Sequence, residues 1–161
     1  MFNDNISFIK AKQKGKKGET AVIEHYKNNG CDVIDVSEDK EFQKIDVDLI
    51  IDGDFVEVKT QKSLSEREKI TLELETEYYN SLIRKGWFYS TEANILIFYD
   101  NTNNIAYSVD TKELRDYYIK NRHSELLESH SFDEKHKVSQ LVFIPIELLK
   151  NNLKSFKKEI Y

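Results

Sequence analysis

The sequence predicts an α/β fold in which a mixed β-sheet is flanked by helices. Three observations favour this fold: an amphipathic helix near the amino terminus, a β-hairpin around residue 52, and a continuous apolar stretch at 93–99. The chain has 161 residues, 39% of them hydrophobic and 33% charged, which is typical of a globular protein with a sizeable core. We therefore expect one domain that spans residues 1–161.

The first predicted elements are a helix over about 18–29 and a strand over 31–36. Spacing of i, i+3, i+4 and i+7 defines one face of this helix, formed by Glu19, Val22, Ile23 and Tyr26. Gly30 follows as a helix stop. Glu19 is the unusual member of the face, because a carboxylate is costly to bury without a partner.

A predicted β-hairpin over residues 46–60 is the most informative segment. Asp-Gly between alternating hydrophobic residues, here Asp52-Gly53, is the strongest short-range signal of a hairpin. A two-residue turn places Asp48 opposite Glu57 and Asp46 opposite Lys59. Side chains two residues apart share a strand face, so one patch is expected to collect Asp46, Asp48, Glu57 and Lys59.

The rest of the chain alternates between predicted strands and helices. We expect strands at 69–76, 93–99, 105–109 and 141–144, and helices at 77–85, at 110–120 and after Pro145. Asp110 and Glu113 have the spacing of a capping box at the start of the second of these helices. The polar residues 121–137 are expected to form a loop.

The charges of the hairpin point to a metal-binding site. Asp48 directly opposite Glu57 is a destabilising pair unless a cation lies between them. Mg²⁺ binds through one or two carboxylates together with water and substrate oxygens, and it can activate water for phosphodiester hydrolysis. The carbonyl of Val58 is a further candidate ligand. Lys59 is a candidate either to activate the attacking water or to stabilise the phosphate in the transition state.

These residues resemble the PD-(D/E)xK nuclease superfamily, which has a restriction-endonuclease-like fold. The resemblance covers about residues 15–75 and is carried by Gly18-Glu19, Asp48 within 45–51, and Glu57-Val58-Lys59. The order of elements is also similar to that of archaeal Holliday-junction resolvases and small phage or bacterial nucleases. The resemblance implies a mixed-sheet core, dependence on Mg²⁺ or Mn²⁺, and cleavage of DNA. It also implies roles for four residues: metal ligands Asp48 and Glu57, catalytic lysine Lys59, and helix acid Glu19.

Three positions leave alternatives open. No proline precedes the acidic residue of the motif, because Val47 stands there. Asp46 competes with Asp48 for the metal, and the hairpin register favours Asp48. Gln61 follows Lys59 on the same strand face and is a candidate phosphate contact.

Nucleic-acid binding is the expectation that composition supports least, because the net charge is −5. The basic run near the amino terminus includes three candidate DNA contacts, Lys14, Lys16 and Lys17, although a solvated helix face explains them as well. Several aromatic residues are candidates for stacking on bases, although core or dimer packing is favoured: Tyr78, Tyr79, Trp87, Tyr89, Tyr117 and Tyr118.

A metal-dependent DNA endonuclease, either structure-selective like a junction resolvase or of restriction or phage type, is the favoured function. The alternatives are a catalytically inactive nuclease-fold module that binds nucleic acid or protein, and an assembly protein whose charged strands are merely solvated. We expect a homodimer, because shape recognition generally needs two sites at fixed separation. No small-molecule cofactor or membrane segment is expected, since no apolar run approaches roughly 18 residues. The lone Cys31 favours a reducing cytoplasm, with a phage-encoded protein in a bacterial host as one option.

Overall fold

The computed structural model describes residues 2–80, 82–134 and 137–161, and it has a mixed α/β fold with two β-sheets flanked by helices. The helices are α1 (Phe2–Asn28), α2 (Lys40–Gln43), α3 (Ser63–Arg67), α4 (Trp87–Ser90), α5 (Thr111–Asn121) and α6 (Ile146–Asn152). The strands are β1 (Val33–Asp35), β2 (Leu49–Ile51), β3 (Asp54–Thr60), β4 (Lys69–Tyr78), β5 (Ile83–Lys85), β6 (Ile95–Asp100), β7 (Ile105–Asp110), β8 (Glu128–Glu134), β9 (Lys137–Pro145) and β10 (Lys157–Ile160).

The larger sheet is mixed and has the strand order β1-β2-β3-β6-β7-β10. Its central pair, β3 and β6, is parallel, and its other neighbours are antiparallel. The smaller sheet is antiparallel throughout, with the order β5-β4-β9-β8. Val22 of α1 packs on one face of the larger sheet, against Val56 and Val58 among others. The opposite face, including Phe98, packs against Leu72 of the smaller sheet.

The predicted hairpin between β2 and β3 is confirmed in its register. Ile51 pairs with Asp54, and the turn residues Asp52 and Gly53 both have positive φ, at 50° and 92°, as a type I′ turn requires. Pairing ends at Leu49, however. Preceding residues leave the ladder, so the expectation that Asp46 lies opposite Lys59 is wrong.

Four other expectations about secondary structure are corrected. Helix α1 begins at Phe2, well before residue 18, and the predicted helix at 77–85 is instead the end of β4 followed by β5. Segment 121–137, predicted as a loop, contains the whole of β8, which pairs with the next strand, β9. Strand β10 was not predicted, and it pairs with β7, far away in the sequence. Strand pairing stabilises β5, β8 and β10, and local periodicity does not reveal it.

The predicted capping box at the start of α5 is half formed. The Asp110 carboxylate accepts a hydrogen bond from the Glu113 backbone N–H at 2.7 Å, as expected of an N-cap. The Glu113 carboxylate turns away and accepts backbone hydrogen bonds from Lys154 and Ser155. Glu113 therefore ties α5 to the segment between α6 and β10.

None of the helices in the described residues combines the length and the apolar character that crossing a membrane requires.

Candidate active site

A cleft of about 440 Å³ opens between α1 and β3, beyond the point where β2 has ended. The cleft brings together the four residues predicted to be catalytic. Its lining consists of Lys14, Gly15, Glu19, Asp48, Glu57, Val58, Lys59 and Thr60. The hairpin and the first helix, which were predicted separately, thus contribute to one site.

Asp48 is fixed to the edge of β3. Its backbone N–H donates to the Val56 carbonyl at 2.9 Å, and its Oδ2 atom accepts a hydrogen bond from the Val58 N–H at 2.9 Å. In an antiparallel ladder the N–H and C=O of one residue point to the same neighbour. The Val58 carbonyl therefore points to the same open edge as Asp48, into the cleft.

Glu57 is the most deeply buried charged residue of the site, with 2% of its surface exposed. The pKa of its carboxyl group is raised to about 8; burial is the largest cause, the Lys59 charge opposes the rise, and the Asp48 charge adds to it. One carboxylate oxygen contacts the Lys59 ammonium, and the other, Oε2, is buried with no N–H or O–H donor as its partner, while the carboxyl group as a whole lies within hydrogen-bond reach of the Asp48 carboxyl. Buried polar atoms normally have partners, so this oxygen is suited to a ligand.

Lys59 lies between an acid and an aromatic ring. Its Nζ contacts Glu57 and lies 4.9 Å from the centre of the Trp87 ring, within the range of a cation–π interaction. Burial lowers the pKa of Lys59, but the charges of Glu57 and Asp48 outweigh that effect, and the pKa is raised above its ordinary value. Lys59 is therefore an ammonium ion at neutral pH. The contact with Trp87 was not predicted, because it depends on the packing of α4.

Glu19 reaches the cleft because α1 approaches β3 closely at Gly18. A Cβ atom at Gly18 would lie 2.0 Å from the Thr60 Oγ1 atom and 3.3 Å from the Tyr99 ring, so only glycine fits. Glu19 Oε2 forms a salt bridge with Lys16 Nζ at 3.1 Å, one turn earlier in α1.

Substitution Gly18→Ala is expected to destabilise the protein by about 1–3 kcal/mol, because the added methyl group forces α1 away from β3. Gly15→Ala is the matched control on the same helix, where the nearest atom to a new Cβ is 4.0 Å away. The control should be neutral or stabilising by up to about 1 kcal/mol, because alanine favours helix. Urea denaturation measures both values. Equal effects of the two substitutions would contradict the close approach.

Asp46 lies outside the residues that line the cleft. Its Oδ2 accepts a hydrogen bond from the Ser90 hydroxyl at 2.5 Å, and its carbonyl accepts one from the Thr91 hydroxyl at 2.7 Å. Its φ is 50°, so the chain turns there and does not continue the strand. Asp46 and Asp48 were the two candidates for the metal ligand, and of these two the cleft contains Asp48.

Gln61 is held by the neighbouring strand β4. Its amide nitrogen donates to the Thr71 carbonyl at 2.6 Å, and its amide oxygen accepts from the Thr71 N–H at 2.8 Å. Both ends of the side chain are thus engaged in linking β3 to β4. The structure gives Gln61 this structural role, and its contact with phosphate stays a prediction.

The three predicted DNA-contacting lysines differ in their surroundings. Lys14 lines the cleft itself, and burial together with Lys62 lowers its pKa. Lys16 Nζ lies 3.0 Å from Asp35 and donates to the Ser37 hydroxyl at 2.8 Å, so it is engaged within the protein. Lys17 is exposed on α1. Lys14 and Lys17 are therefore the better placed for phosphate.

The cleft offers a donor set that fits a hard divalent cation. Its acids are carboxylates, and the Val58 carbonyl adds another oxygen, as Mg²⁺ and Mn²⁺ prefer. Within the described part of the chain, no three His, Cys, Asp or Glu side chains are grouped tightly enough to hold a metal ion by themselves. Mg²⁺ does not need such a cage, because it usually keeps several waters and binds one or two carboxylates plus substrate.

Comparisons with known proteins identify one structural similarity. No protein-family model matches the chain, and no curated protein is significantly similar to it in sequence. Among solved structures, a bacterial homing endonuclease, I-Ssp6803I, is similar at 15% identity and a TM-score of 0.49, covering 80% of this chain and 76% of that chain. At this level of similarity, the chemistry of the cleft has to be judged from its own residues.

Proposed function

We propose that the protein is a metal-dependent DNA endonuclease that hydrolyses phosphodiester bonds, with Mg²⁺ or Mn²⁺ as its cofactor. The observation that carries this proposal is the convergence of three groups in one cleft: the buried Glu57 carboxyl, the adjacent Asp48 carboxyl and the Lys59 ammonium. The PD-(D/E)xK pattern of the sequence supports the same assignment. Asp48, Glu57 and the Val58 carbonyl would hold the metal, with Glu19 contributing directly or through water.

The residues of the cleft divide the chemistry between them. A bound divalent metal would supply charge neutralisation of the phosphate and an activated water. Lys59 places a fixed positive charge where negative charge develops on the phosphate, and its raised pKa favours this electrostatic role over that of a general base. The Trp87 ring helps to hold the ammonium in place through a cation–π contact. Lys14, at the rim, is placed to contact an adjacent phosphate.

Cleavage of a DNA panel tests the proposal. Supercoiled, linear, single-stranded and branched DNA are incubated with the pure protein in Mg²⁺, Mn²⁺, Ca²⁺ or EDTA. We expect cleavage in Mg²⁺ or Mn²⁺, and a loss of at least about 100-fold in Asp48→Asn, since losing a metal ligand removes several kcal/mol of transition-state stabilisation. Asp46→Asn is the comparison, because Asp46 is on the same segment but outside the cleft, and it acts on Glu57 and Lys59 through its charge alone. Its effect should be far smaller. Cleavage that survives Asp48→Asn contradicts the assignment.

A nuclease-fold module that binds without cutting is the second candidate, favoured by the net charge of −5. Titration calorimetry separates the two functions. Binding of Mn²⁺ that disappears in Glu57→Ala supports the nuclease, whereas no binding of Mg²⁺ or Mn²⁺ up to millimolar concentration supports the second candidate.

We also propose a homodimer, since structure-selective cutting of the junction-resolvase kind needs two sites at fixed separation. Gel filtration with light scattering is the measurement, and a monomer at all concentrations tested contradicts this proposal. The choice between structure-selective and restriction or phage-type cutting follows from the branched and linear members of the DNA panel.

A further inference from the structure

A second groove, of about 820 Å³, opens beside the active-site cleft along the outer face of the smaller sheet. Lys14 lines both the cleft and the groove. The wall formed by the sheet consists of Thr71, Glu73, His130, Phe132, Leu141 and Phe143. Helix α3 contributes Lys62 and Arg67 on the opposite side. The groove therefore continues the cleft across the protein surface.

Aromatic rings occupy the wall of the groove where a solvated strand face would carry polar side chains. Phe132 is 55% exposed, and His130, two residues before it in β8, shares its face. The His130 ring packs edge-on against Phe143 at 5.3 Å, and the Arg67 guanidinium lies 5.3 Å from the centre of the same Phe143 ring. Unstacked bases bind to exposed rings and to guanidinium groups, and this wall of the groove offers both.

Trp87 connects this groove to the catalytic lysine. Its ring lines the groove and also lies 4.9 Å from Lys59 Nζ. A phosphate at Lys59 would thus place the next nucleotide at Trp87 and the following ones on the wall of the sheet.

The charges of the groove favour a polyanion along its rim. Three cations, Lys14, Lys62 and Arg67, face two carboxylates, Glu66 and Glu73. Glu73 accepts a hydrogen bond from the Thr76 hydroxyl at 3.1 Å, which offsets part of its charge. The groove thus combines cations for a backbone with rings for bases, although the chain as a whole is acidic.

We propose that this groove binds an unpaired DNA strand next to the scissile phosphate, with bases stacked on Trp87, His130 and Phe132. The inference rests on the proposed nuclease function and specifies its substrate as single-stranded or locally unpaired DNA. In a duplex the ring faces of the bases are already stacked on one another, so they cannot stack on side chains without unstacking.

Fluorescence of the single tryptophan, Trp87, reports directly on this groove. The protein is titrated with the oligonucleotide dT10 and with a ten-base-pair duplex rich in G and C, both in EDTA so that no strand is cut. We expect dT10 to quench Trp87 and the duplex to bind more weakly with little quenching. Phe132→Ala should weaken dT10 binding about tenfold, because one stacked base is lost, and Phe132→Tyr should restore it. Ile119→Ala, at an apolar α5 residue that is 52% exposed, is the control and should leave binding unchanged.

Equal binding of both DNAs, or dT10 binding that is the same in Phe132→Ala, overturns the inference. So does a change from dimer to monomer in Phe132→Ala with dT10 binding intact, because the ring would then belong to an interface between copies of the chain. Cleavage assays keep the two proposals separate. Metal-dependent cleavage that needs Asp48 but ignores Phe132 removes the groove from the mechanism and leaves the nuclease assignment standing.

Discussion

Glu57→Gln is expected to abolish DNA cleavage and, at the same time, to stabilise the metal-free protein at alkaline pH. The activity loss should be at least about 100-fold. The metal stabilises the transition state by several kcal/mol, and an amide is a poor substitute for the carboxylate that holds it. The gain in stability has a different origin. Glu57 is almost fully buried, and one of its oxygens has no N–H or O–H donor as its partner. Ionising such a group costs free energy that glutamine does not incur.

The pH dependence follows from the raised pKa of Glu57. Its ordinary value is 4.5, and burial raises it to about 8 in the folded protein. Between these values the unfolded chain has released a proton that the folded chain still holds, so the free energy of unfolding falls as pH rises through this window and is level above about pH 8. The decrease is on the order of a few kcal/mol. Glu57→Gln removes this slope.

Urea denaturation in EDTA at pH 5, 7 and 9 measures the difference between Glu57→Gln and the parent. The free energy of unfolding of Glu57→Gln should exceed that of the parent by an amount that grows with pH. Glu24→Gln, at an exposed carboxylate on α1, is the control and should show no growth, because water solvates that group in both states. Stability of the parent that rises with pH relative to Glu57→Gln would contradict the burial of an acid here.

A divalent metal should offset the loss of stability caused by the buried Glu57 carboxylate in the parent protein, but not in Glu57→Gln. Mn²⁺ binds the ionised carboxylate, so it should raise the melting temperature of the parent and leave Glu57→Gln almost unchanged. At a concentration 100 times the Kd the stabilisation is about 2.7 kcal/mol. Equal stabilisation of both proteins would place the metal elsewhere.

Local sequence signals were sufficient for the part of the site built by neighbouring residues. The Asp52-Gly53 turn determined the register of the hairpin, because a two-residue type I′ loop leaves no freedom in pairing. The preference for Asp48 over Asp46 followed from that register. The helical spacing of α1 identified Glu19 as an acid on a packed face.

Strand pairing and side-chain contacts between strands could not be predicted from the same local signals. Strand β8 is polar and alternates weakly, so its role as an edge of the smaller sheet depends on its pairing with β9. For Gln61, the strand pattern indicates only which face the side chain is on, and it does not reveal that Thr71 lies beside it. The pairing of Asp46 with Lys59 was expected from an ideal hairpin, and the left-handed turn at Asp46 ends that regularity.

Lys59→Met is expected to reduce cleavage by about 100- to 1,000-fold, the effect of removing one preorganised group that stabilises transition-state charge. Methionine keeps most of the volume of lysine, and its sulfur packs favourably beside an aromatic ring, so Trp87 and the fold should be maintained. Lys112→Met, on the exposed side of α5, is the control and should cleave as the parent does. Lys59→Arg should recover only part of the activity, because a planar guanidinium does not fit a position shaped for a compact ammonium.

The two active-site substitutions should separate metal binding from charge stabilisation. Lys59→Met retains both carboxylates, so Mn²⁺ should still raise its melting temperature, whereas Glu57→Gln should lose both that response and cleavage. A Lys59→Met protein that cuts within a few-fold of the parent would exclude Lys59 from catalysis. If Lys59→Met loses the response to Mn²⁺ as fully as Glu57→Gln does, the ammonium acts by positioning the Glu57 carboxylate. The contact between Lys59 and Glu57 allows either outcome, and the raised pKa of Lys59 favours a cation that acts on the phosphate itself.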